Sequence, residues 1–422
     1  MHFNHTHGFR RHLLSAAAVA SLLKDSLSAN NDDISKRVTQ CDAPPSSKPG
    51  PKILFLGSGS STGCPKPICS LLFPPLQTLN NDEISKAKLL EAQQQMLHKC
   101  KVSKIATTGN PINNKNYRNN PSILISHAND SHNDVSEYKN VIIDVGKTFR
   151  EAALRWMPRN SIYSIDAIVL THEHADAVLG LDDLRGFQRV PFMLKSNHNI
   201  KTYNNTAEVR HEKSPSILPV FLSIDCFKKV KQQFDYLVPT SCCNDIKDEG
   251  SNNVALPVVE RAVASLQFHI VDHFKPFEAG GLQMTPLPVM HGEDLICNGY
   301  AFSLKRHQNI QKEDGYIGHG KTTNVIYLSD ISRMIPETEE FILNRLPPTD
   351  ILIIDSLLMK DKHPVHFSLK QAMEVVKRLK PRRTFIVGIN CDDFPEHDEA
   401  NTLLKKLDPS VQLAYDGLVI EV

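Results

Sequence analysis

The chain has 422 residues, of which 41% are hydrophobic and 23% are charged. That composition supports a large buried core and excludes a chain that is disordered throughout. Lys and Arg number 48 against 47 Asp and Glu, a net charge of +1, which excludes a strongly basic chain but not a local basic patch for nucleic acid. The nine cysteines are an odd count in a long chain, so they indicate a reducing compartment and not a disulfide framework.

The first 24 residues have a composition of their own. They contain basic residues among several Ser and Ala, and no acidic residue. This is typical of a mitochondrial or other organellar transit peptide, with a secretory signal around the apolar run 13–23 or a disordered extension of a cytoplasmic protein as alternatives. The run is shorter than the roughly 20 residues that span a bilayer, so no membrane span is expected. We expect residues 1–50 to be an extension ending in a Pro-rich linker and residues 51–422 to form the folded domain.

Short runs of apolar and β-branched residues predict the strands. In chain order these runs are 52–56, 122–126, 141–144, 167–171, 220–222, 266–271, 284–289, 299–304, 325–329, 351–354, 384–388, 411–414 and 418–422. The last two are expected to form a closing hairpin around Asp416 and Gly417.

Helical patterns cover 182–189, 224–234 with an N-cap near Ser223, and 368–379. Strands therefore come in runs, with helices late in each half, which favours two sheets flanked by helices over a doubly wound parallel sheet. Three segments rich in Asn, Ser and Lys lack periodicity and are expected to be insertions, namely 78–118, 195–217 and 240–258.

The clearest functional signal directly follows the apolar strand predicted at 167–171. The sequence His172-Glu173-His174-Ala175-Asp176 places two imidazoles and a carboxylate within five residues. A lone histidine is usually explained as a buried structural residue, but that explanation does not account for His-x-His-x-Asp at a strand end. Neutral imidazoles and carboxylates suit Zn²⁺ and related divalent ions, so we expect this cluster to bind a metal ion.

Further candidate ligands also follow apolar strands. They are Asp144, His291, Asp330, the pair His363 and His366, and the pair Cys391 and Asp392. Any one of them alone would more often be a cap or a turn residue. Their repetition at strand ends predicts one convergent site.

This ordered set of residues resembles the metallo-β-lactamase superfamily over about residues 52–422. The five family motifs are matched in order by Asp144, the cluster 172–176, His291, Asp330 and a late position near Cys391. The resemblance implies an α/β fold, the αββα sandwich, with metal ions at one edge of its two sheets.

Three segments narrow the resemblance to one branch of that superfamily. The cluster with the following segment 180–185, the opening segment 56–63 and the segment 118–122 are most similar to the phosphoribosyl cyclic phosphodiesterases of phosphonate metabolism and their eukaryotic "putative hydrolase" relatives. The segment from His366 to Ala372 resembles a motif shared with tRNase Z-type enzymes.

The resemblance also implies a set of metal ligands. One ion would be held by His172, His174 and His291, and a second by Asp176, a bridging Asp330 and either Cys391 or His397. The family cluster usually ends in Asp-His, whereas this chain has Ala177, so the second ion has one ligand fewer. The cofactor would be one or two Zn²⁺ ions, with Mn²⁺ or Fe as alternatives.

A structural zinc site built from cysteines is a further implication of the same branch. Cys64, Cys69 and Cys100 are available, while the usual closing cysteine appears as Ser103 and His98 could substitute for it. Partly buried free thiols are the alternative.

The resemblance implies hydrolysis of a small cyclic or nucleotide-like phosphodiester. A bound metal lowers the pKa of its water to about 7, and the hydroxide held by Asp176 and Asp330 would attack phosphorus. His366 would hydrogen-bond the phosphate or protonate the leaving oxygen. His363 is either a substrate contact or a loop residue.

Two carboxylates are expected to orient this site. Asp144 would act on a ligand histidine through its other ring nitrogen. Asp182 could do the same, but a helix cap or a surface salt bridge would explain it equally well.

Three other functions stay open at this point. A tRNase Z-like nuclease would need a basic arm, and the Lys-rich stretches 86–104 and 228–231 instead have the pattern of helix faces, so a nucleic-acid partner is not favoured. A thioester or ester hydrolase of the same fold is the second. A catalytically degenerate metal-binding module is the third, and Ala177 and Cys391 are its main support. The sequence does not fix the oligomeric state.

Overall fold

The computed structural model describes residues 50–70, 100–128, 138–188, 217–238, 263–305 and 322–422. Within these ranges two seven-stranded sheets form the centre of the fold. The strands are β1 (Lys52–Gly57), β2 (Ser122–Ala128), β3 (Tyr138–Ile143), β4 (Ala167–Val169), β5 (Leu218–Leu222), β6 (Leu266–Ile270), β7 (Phe277–Ala279), β8 (Leu282–His291), β9 (Leu295–Lys305), β10 (Thr322–Leu328), β11 (Ile351–Asp355), β12 (Arg383–Val387), β13 (Val411–Leu413) and β14 (Val419–Glu421).

The described helices are short and mostly follow strands. They are α1 (Pro67–Ser70), α2 (Lys101–Ala106), α3 (Phe149–Trp156), α4 (Ala175–Val178), α5 (Arg185–Gln188), α6 (Ile224–Gln233), α7 (Pro336–Arg345), α8 (Leu369–Leu379) and α9 (His397–Leu407). Single 3₁₀ turns cover Pro111–Asn113, Pro158–Asn160 and Asp182–Leu184. None of the described helices is both long enough and apolar enough to cross a membrane.

Strand order brings the ends of parallel strands to one edge of each sheet. The first sheet has the order β14-β1-β2-β3-β4-β5-β6 and the second β13-β12-β11-β10-β9-β8-β7. Neighbours are parallel from β3 to β6 and from β10 to β13, and antiparallel elsewhere. Residues that follow β3, β4, β10, β11 and β12 therefore lie at carboxyl ends, where sites of such sheets collect.

Alternating side chains in β1 show how the layers form. Ile53 and Phe55 belong to the apolar cluster between the two sheets. Leu54 and Leu56 point to the other face, where they share a cluster with Trp156 of α3. Since successive strand side chains face opposite sides, an uninterrupted apolar strand is buried on both faces. The first sheet is thus covered by a helix on its outer face.

The second sheet is covered in the same way by α8. Leu352 and Ile354 of β11 pack with Leu369 and Val376 of that helix, on the face away from the first sheet. The helix begins with a capping box, in which Ser368 and the side chain of residue 371 satisfy each other's backbone amides. The result is the expected α/β fold, an αββα sandwich.

The expected closing hairpin is wrong. β13 pairs in parallel with β12 in the second sheet, whereas β14 pairs antiparallel with β1 in the first. The turn between them is fixed by Asp416, whose carboxylate accepts hydrogen bonds from the Ser58 amide and hydroxyl and from the Asn119 amide. Gly417 follows with φ +87°, a conformation that favours glycine. Contacts with residues far away in the sequence therefore fix the turn at which the chain passes from the second sheet to the first.

Other sequence expectations differ in detail. The helix expected over 182–189 is a 3₁₀ turn followed by α5. Of the expected insertions, residues 100–118 are described and contain α2, while 78–99, 195–216 and 240–258 lie outside the described residues. The extension 1–49 also lies outside them, so its targeting role stays a prediction.

Candidate metal centre

Three histidines from two strand ends come together at the shared edge of the sheets. His172 and His174 follow β4, and His291 is the last residue of β8. Each offers a ring nitrogen, and these nitrogens all lie within 4.8 Å of one another. The ring centroid of His174 is 4.8 Å from that of His172 and 5.1 Å from that of His291. Three such nitrogens are the donor set of a catalytic zinc or a similar ion.

Hydrogen bonds fix which nitrogen of His172 is free. The Thr171 amide and hydroxyl both donate to the Asp144 carboxylate, at 2.8 Å each. Since that hydroxyl hydrogen is engaged, the Nδ1–H of His172 donates to Thr171 Oγ1 at 2.9 Å. The buried Nε2 then keeps its lone pair and has no partner among the described residues. This orphaned acceptor fits a metal ligand.

Electrostatics also keep His172 neutral. Burial, together with neighbouring histidines, lowers the pKa of His172 to about 3 against the opposing effect of Asp330. Asp144 was expected to orient a ligand histidine directly, and the structure places the Thr171 hydroxyl between the two. Asp144 has φ +64°, a strained conformation typical of functional positions.

His291 is oriented by the backbone. Its Nδ1 lies 2.8 Å from the carbonyl oxygen of Val365, which can only accept, so Nδ1 carries the hydrogen. The lone pair is therefore on Nε2, as a metal ligand needs. Burial lowers the pKa of His291 and favours the neutral ring.

Buried carboxylates lie beside the three histidines. Asp176 Oδ1 is 4.0 Å from His172 Nε2, and ligand atoms of His291, Asp330 and His366 lie within 4.8 Å of one another. Burial and the nearby Asp330 raise the pKa of Asp176 to about 7. A bound cation would relieve this repulsion, so the site fits a second ion between the two carboxylates.

His366 is held by a carboxylate that the sequence reasoning did not assign. Its Nδ1 lies 2.9 Å from Asp355 Oδ2 and 3.9 Å from Asp330 Oδ1. Burial alone would lower the pKa of His366, but these two carboxylates raise it to about 9. Asp355 ends β11 as Asp144 follows β3, so the strand-end rule could have found it.

Cys391 and His397, the two candidates for the late ligand, do not join this centre. Cys391 Sγ lies 3.5 Å from Cys100 Sγ, in a separate cluster. His397 begins α9, where its Nε2 accepts from the Asn401 side chain at 2.9 Å. The chain turns at Gly388, with φ +73°, and carries these residues away from the histidines.

The cluster around Cys391 is a second candidate metal site. Sγ atoms of Cys69, Cys100 and Cys391 and a carboxylate oxygen of Asp392 all lie within 4.8 Å of one another. Cys100 Sγ is 2.8 Å from Cys69 Sγ, and Cys64 packs into the same cluster. Three or four cysteine sulfurs are the donor set of a structural zinc.

Cys391 thus lies with Cys69 and Cys100, whereas the sequence, with Ser103 at the usual closing cysteine, offered His98 as a substitute. The hydroxyl of Ser103 is used otherwise, since it accepts from the Lys66 amide at 2.9 Å. His98 lies outside the described residues.

The remaining candidates lie around the first centre. The ring of His363 is 5.4 Å from that of His366 and is partly exposed. Asp182 forms an ion pair with Arg185 at 3.5 Å, the salt-bridge alternative considered for it. Ala177 packs in the apolar cluster of the first sheet and offers no ligand atom.

The chain is similar to several solved structures. A diphosphatase of the PhnP family is 24% identical, with a TM-score of 0.52, and the match covers 88% of this chain and 98% of that one. A long-form RNase Z from yeast is 13% identical, with a TM-score of 0.49 and coverage of 90% and 43%. Zn²⁺-bound PqqB from Methylobacterium extorquens is 13% identical, with a TM-score of 0.47 and coverage of 88% and 100%. At its identity, the likeness to the diphosphatase shows the fold alone.

One curated protein also matches by sequence. It is an octanoyltransferase from Porphyromonas gingivalis, 24% identical over 280 residues, which are 66% of this chain. The match spans only 42% of that relative's own length.

A family model ties the histidines and carboxylates of this edge to one family. It is described as the β-lactamase superfamily domain, and it matches residues 139–219 and 221–389. The matched ranges contain the cluster 172–176, His291, Asp330, Asp355 and His366. With that match over more than half of its length, the chain belongs to the β-lactamase superfamily.

Proposed function

We propose that this protein is a metal-dependent phosphodiesterase that hydrolyses a small cyclic or nucleotide-like phosphodiester. The observation that carries the proposal is the buried pair of Asp355 and His366 beside three convergent histidines. Ligands for a divalent ion and a fixed proton donor next to them are what phosphoester hydrolysis requires.

The chain offers ligands of two kinds at this centre. His172, His174 and His291 would hold the first ion through ring nitrogens, two of which are left free by the hydrogen bonds of the opposite nitrogen. Asp176 and Asp330 would hold a second ion with oxygen atoms. When bound, such an ion acts as a Lewis acid and lowers the pKa of its water to about 7.

The protein's own residues would supply the remaining steps. Asp355 engages Nδ1 of His366, so Nε2 is the nitrogen left to donate to a phosphate oxygen or to the leaving oxygen. The raised pKa of His366 keeps it protonated at neutral pH. His363, partly exposed beside it, would contact the substrate phosphate from the entrance.

The same proposal gives the cysteine cluster a structural ion. Cys64, Cys69, Cys100 and Cys391 come from three separated parts of the chain. An ion shared among them would link the start of the domain to the segment after β12. That segment packs directly on Asp355, because a Cβ at Gly388 would lie 1.9 Å from Asp355 Oδ1.

The test is metal content per chain together with hydrolysis of bis(p-nitrophenyl) phosphate. We expect tightly held zinc or manganese and turnover in the wild type. His174→Ala should hold less metal per chain than the wild type, because the cysteine ion remains, and should lose turnover. Asp176→Ala should also lose turnover. His269→Gln removes a histidine from the middle of β6, where it stacks on Phe221, and should change neither.

Three further substrates and outcomes separate the alternatives. Faster cleavage of a structured RNA than of the diester would favour a nuclease, and cleavage of p-nitrophenyl octanoate alone would favour an ester hydrolase. Bound metal without turnover of the diester, the RNA or the octanoate ester would favour a catalytically degenerate metal-binding module. Full activity of Asp176→Ala would contradict the proposed mechanism.

A further inference from the structure

Arg118 is a buried cation beside the cysteine cluster. Its backbone is paired in both directions with Cys64, with N–O distances of 2.8 and 2.9 Å. The side chain is 1% exposed. Nε, Nη1 and Nη2 of its guanidinium have no hydrogen-bond partner among the described residues. An unpaired buried charge is strongly destabilising, so an acceptor or a counter-charge is missing from this arrangement.

Asp416 does not supply the missing acceptor. It lies close enough for its charge to act on Arg118. Its two oxygens, however, accept from the Ser58 amide and hydroxyl and from the Asn119 amide, and neither is bonded to the guanidinium. Asp416 therefore interacts with Arg118 through its charge but does not accept a hydrogen bond from it.

The surroundings of Arg118 are also rich in donors. The side-chain Nδ2 of Asn119 and Nδ1 of His397 are buried without hydrogen-bond partners among the described residues. Because the Asn401 amide donates to His397 Nε2, the orphaned Nδ1 carries a hydrogen. Several buried donors near Arg118 thus have no acceptor among the described residues.

Cys64 and Cys391 are the other groups whose charge acts on Arg118. Thiols become thiolates when they bind a metal. Four thiolates around a divalent ion leave two net negative charges. The nearby Lys66 cannot offset them, because it is paired with Asp392 at 2.7 Å.

We propose that Arg118 is the positioning counter-charge of a divalent ion bound by Cys64, Cys69, Cys100 and Cys391. The inference rests on the structural ion proposed for that cluster and is independent of the hydrolytic centre. Without the ion, the buried guanidinium of Arg118 has no hydrogen-bond acceptor among the described residues. With the ion, the thiolate sulfurs are its acceptors, and the guanidinium halves the net negative charge of the cluster.

This arrangement predicts that removing the charge of Arg118 changes the stabilities of the metal-free and the metal-loaded protein in opposite directions. Arg118→Met keeps an unbranched apolar stem and removes the charge, so it should stabilise the metal-free protein and destabilise the loaded one. Arg118→Lys keeps the charge without the planar guanidinium, so its stability in each state should lie between that of the wild type and that of Arg118→Met. A role in packing alone would lower the stability of both states together.

The experiment uses Co²⁺ as the probe in the full chain. Sulfur-to-cobalt charge-transfer absorption reports the cysteine cluster and does not report the histidines. The wild type should show this absorption, and Arg118→Met should release that cobalt at a chelator concentration at least about tenfold lower. Melting temperatures of the loaded and chelator-treated proteins supply the second readout.

Each outcome decides the question. Retained affinity in Arg118→Met, or equal destabilisation of both states, would overturn the proposal. Stabilisation of both states would assign the missing acceptor to buried water or an anion and would also overturn it. If the wild type shows no thiolate-to-cobalt absorption, the cysteines do not bind an ion and the proposal is wrong. Hydrolysis of bis(p-nitrophenyl) phosphate by the same wild-type sample tests the hydrolytic centre separately.

Discussion

Gly388→Ala tests whether the segment after β12 holds the Asp355–His366 pair. A Cβ at Gly388 would lie 1.9 Å from Asp355 Oδ1, whereas real Cβ contacts are essentially never under 3.0 Å. The carboxylate or the turn must therefore move by about 1 Å. Asp355 Oδ2 is 2.9 Å from His366 Nδ1, so that movement breaks or lengthens this bond.

The magnitude has two parts. Gly388 has φ +73°, and an alanine there costs roughly 1–2 kcal/mol of stability from backbone strain alone. Losing a charge-assisted hydrogen bond between buried groups adds about 1.5–3 kcal/mol. Because His366 is the proposed proton donor, turnover should fall by about 10²–10⁴.

Gly109→Ala is the matched control. Gly109 has φ +71°, and a Cβ there would meet nothing within 4 Å. It should show only the strain of roughly 1–2 kcal/mol and keep wild-type turnover. Urea denaturation gives the two stabilities, and diester hydrolysis gives the two rates. Equal losses of stability, or wild-type turnover in Gly388→Ala, would refute the reasoning.

Three smaller changes test other contacts. Asp355→Asn removes a charge that raises the pKa of His366 to about 9, so the fall of kcat at alkaline pH should begin at lower pH, and an unmoved profile would count against this role. Burial, with the charges of nearby cations, lowers the pKa of His397 to about 3, so the unfolded chain binds a proton below about pH 6.5 that the folded chain does not. Stability should fall by about 2 kcal/mol from pH 7 to pH 5 on this account, and His397→Asn should remove that slope in urea titrations. Thr171→Val leaves Nδ1 of His172 without its hydroxyl partner and should weaken metal binding by about 10–100-fold in a chelator competition, whereas unchanged affinity would show that the hydroxyl does not orient the ring.

Local patterns in the sequence predicted most of the strands because the central strands bury both faces. The runs of β1 and β11 are apolar on both faces, so their composition alone identifies them as buried strands. Ser223 was expected to cap α6, and its hydroxyl accepts from the Cys226 amide. Such signals lie within a few residues of one another.

Pairings across the whole chain were beyond the same reasoning. The separation of β13 from β14 depends on Asp416 meeting Ser58 and Asn119. The location of Cys391 was not predicted, because a thiol that follows a strand has the same sequence pattern whether it joins the histidines or the cysteines. Asp355 stands at a strand end and could have been proposed from the sequence, but its pairing with His366, eleven residues later, is recognisable only in three dimensions.

The return of β14 to β1 has a consequence for how the protein is made. Lys52, near the start of the domain, pairs with Glu421, the penultimate residue. On the ribosome the first sheet would stay without β14 until residues 419–421 have been made, with β1 exposed as an unpaired edge. Newly made chains should therefore depend on protection from aggregation until β14 has been made, and the step that closes this edge should follow formation of the other strands of the sheet.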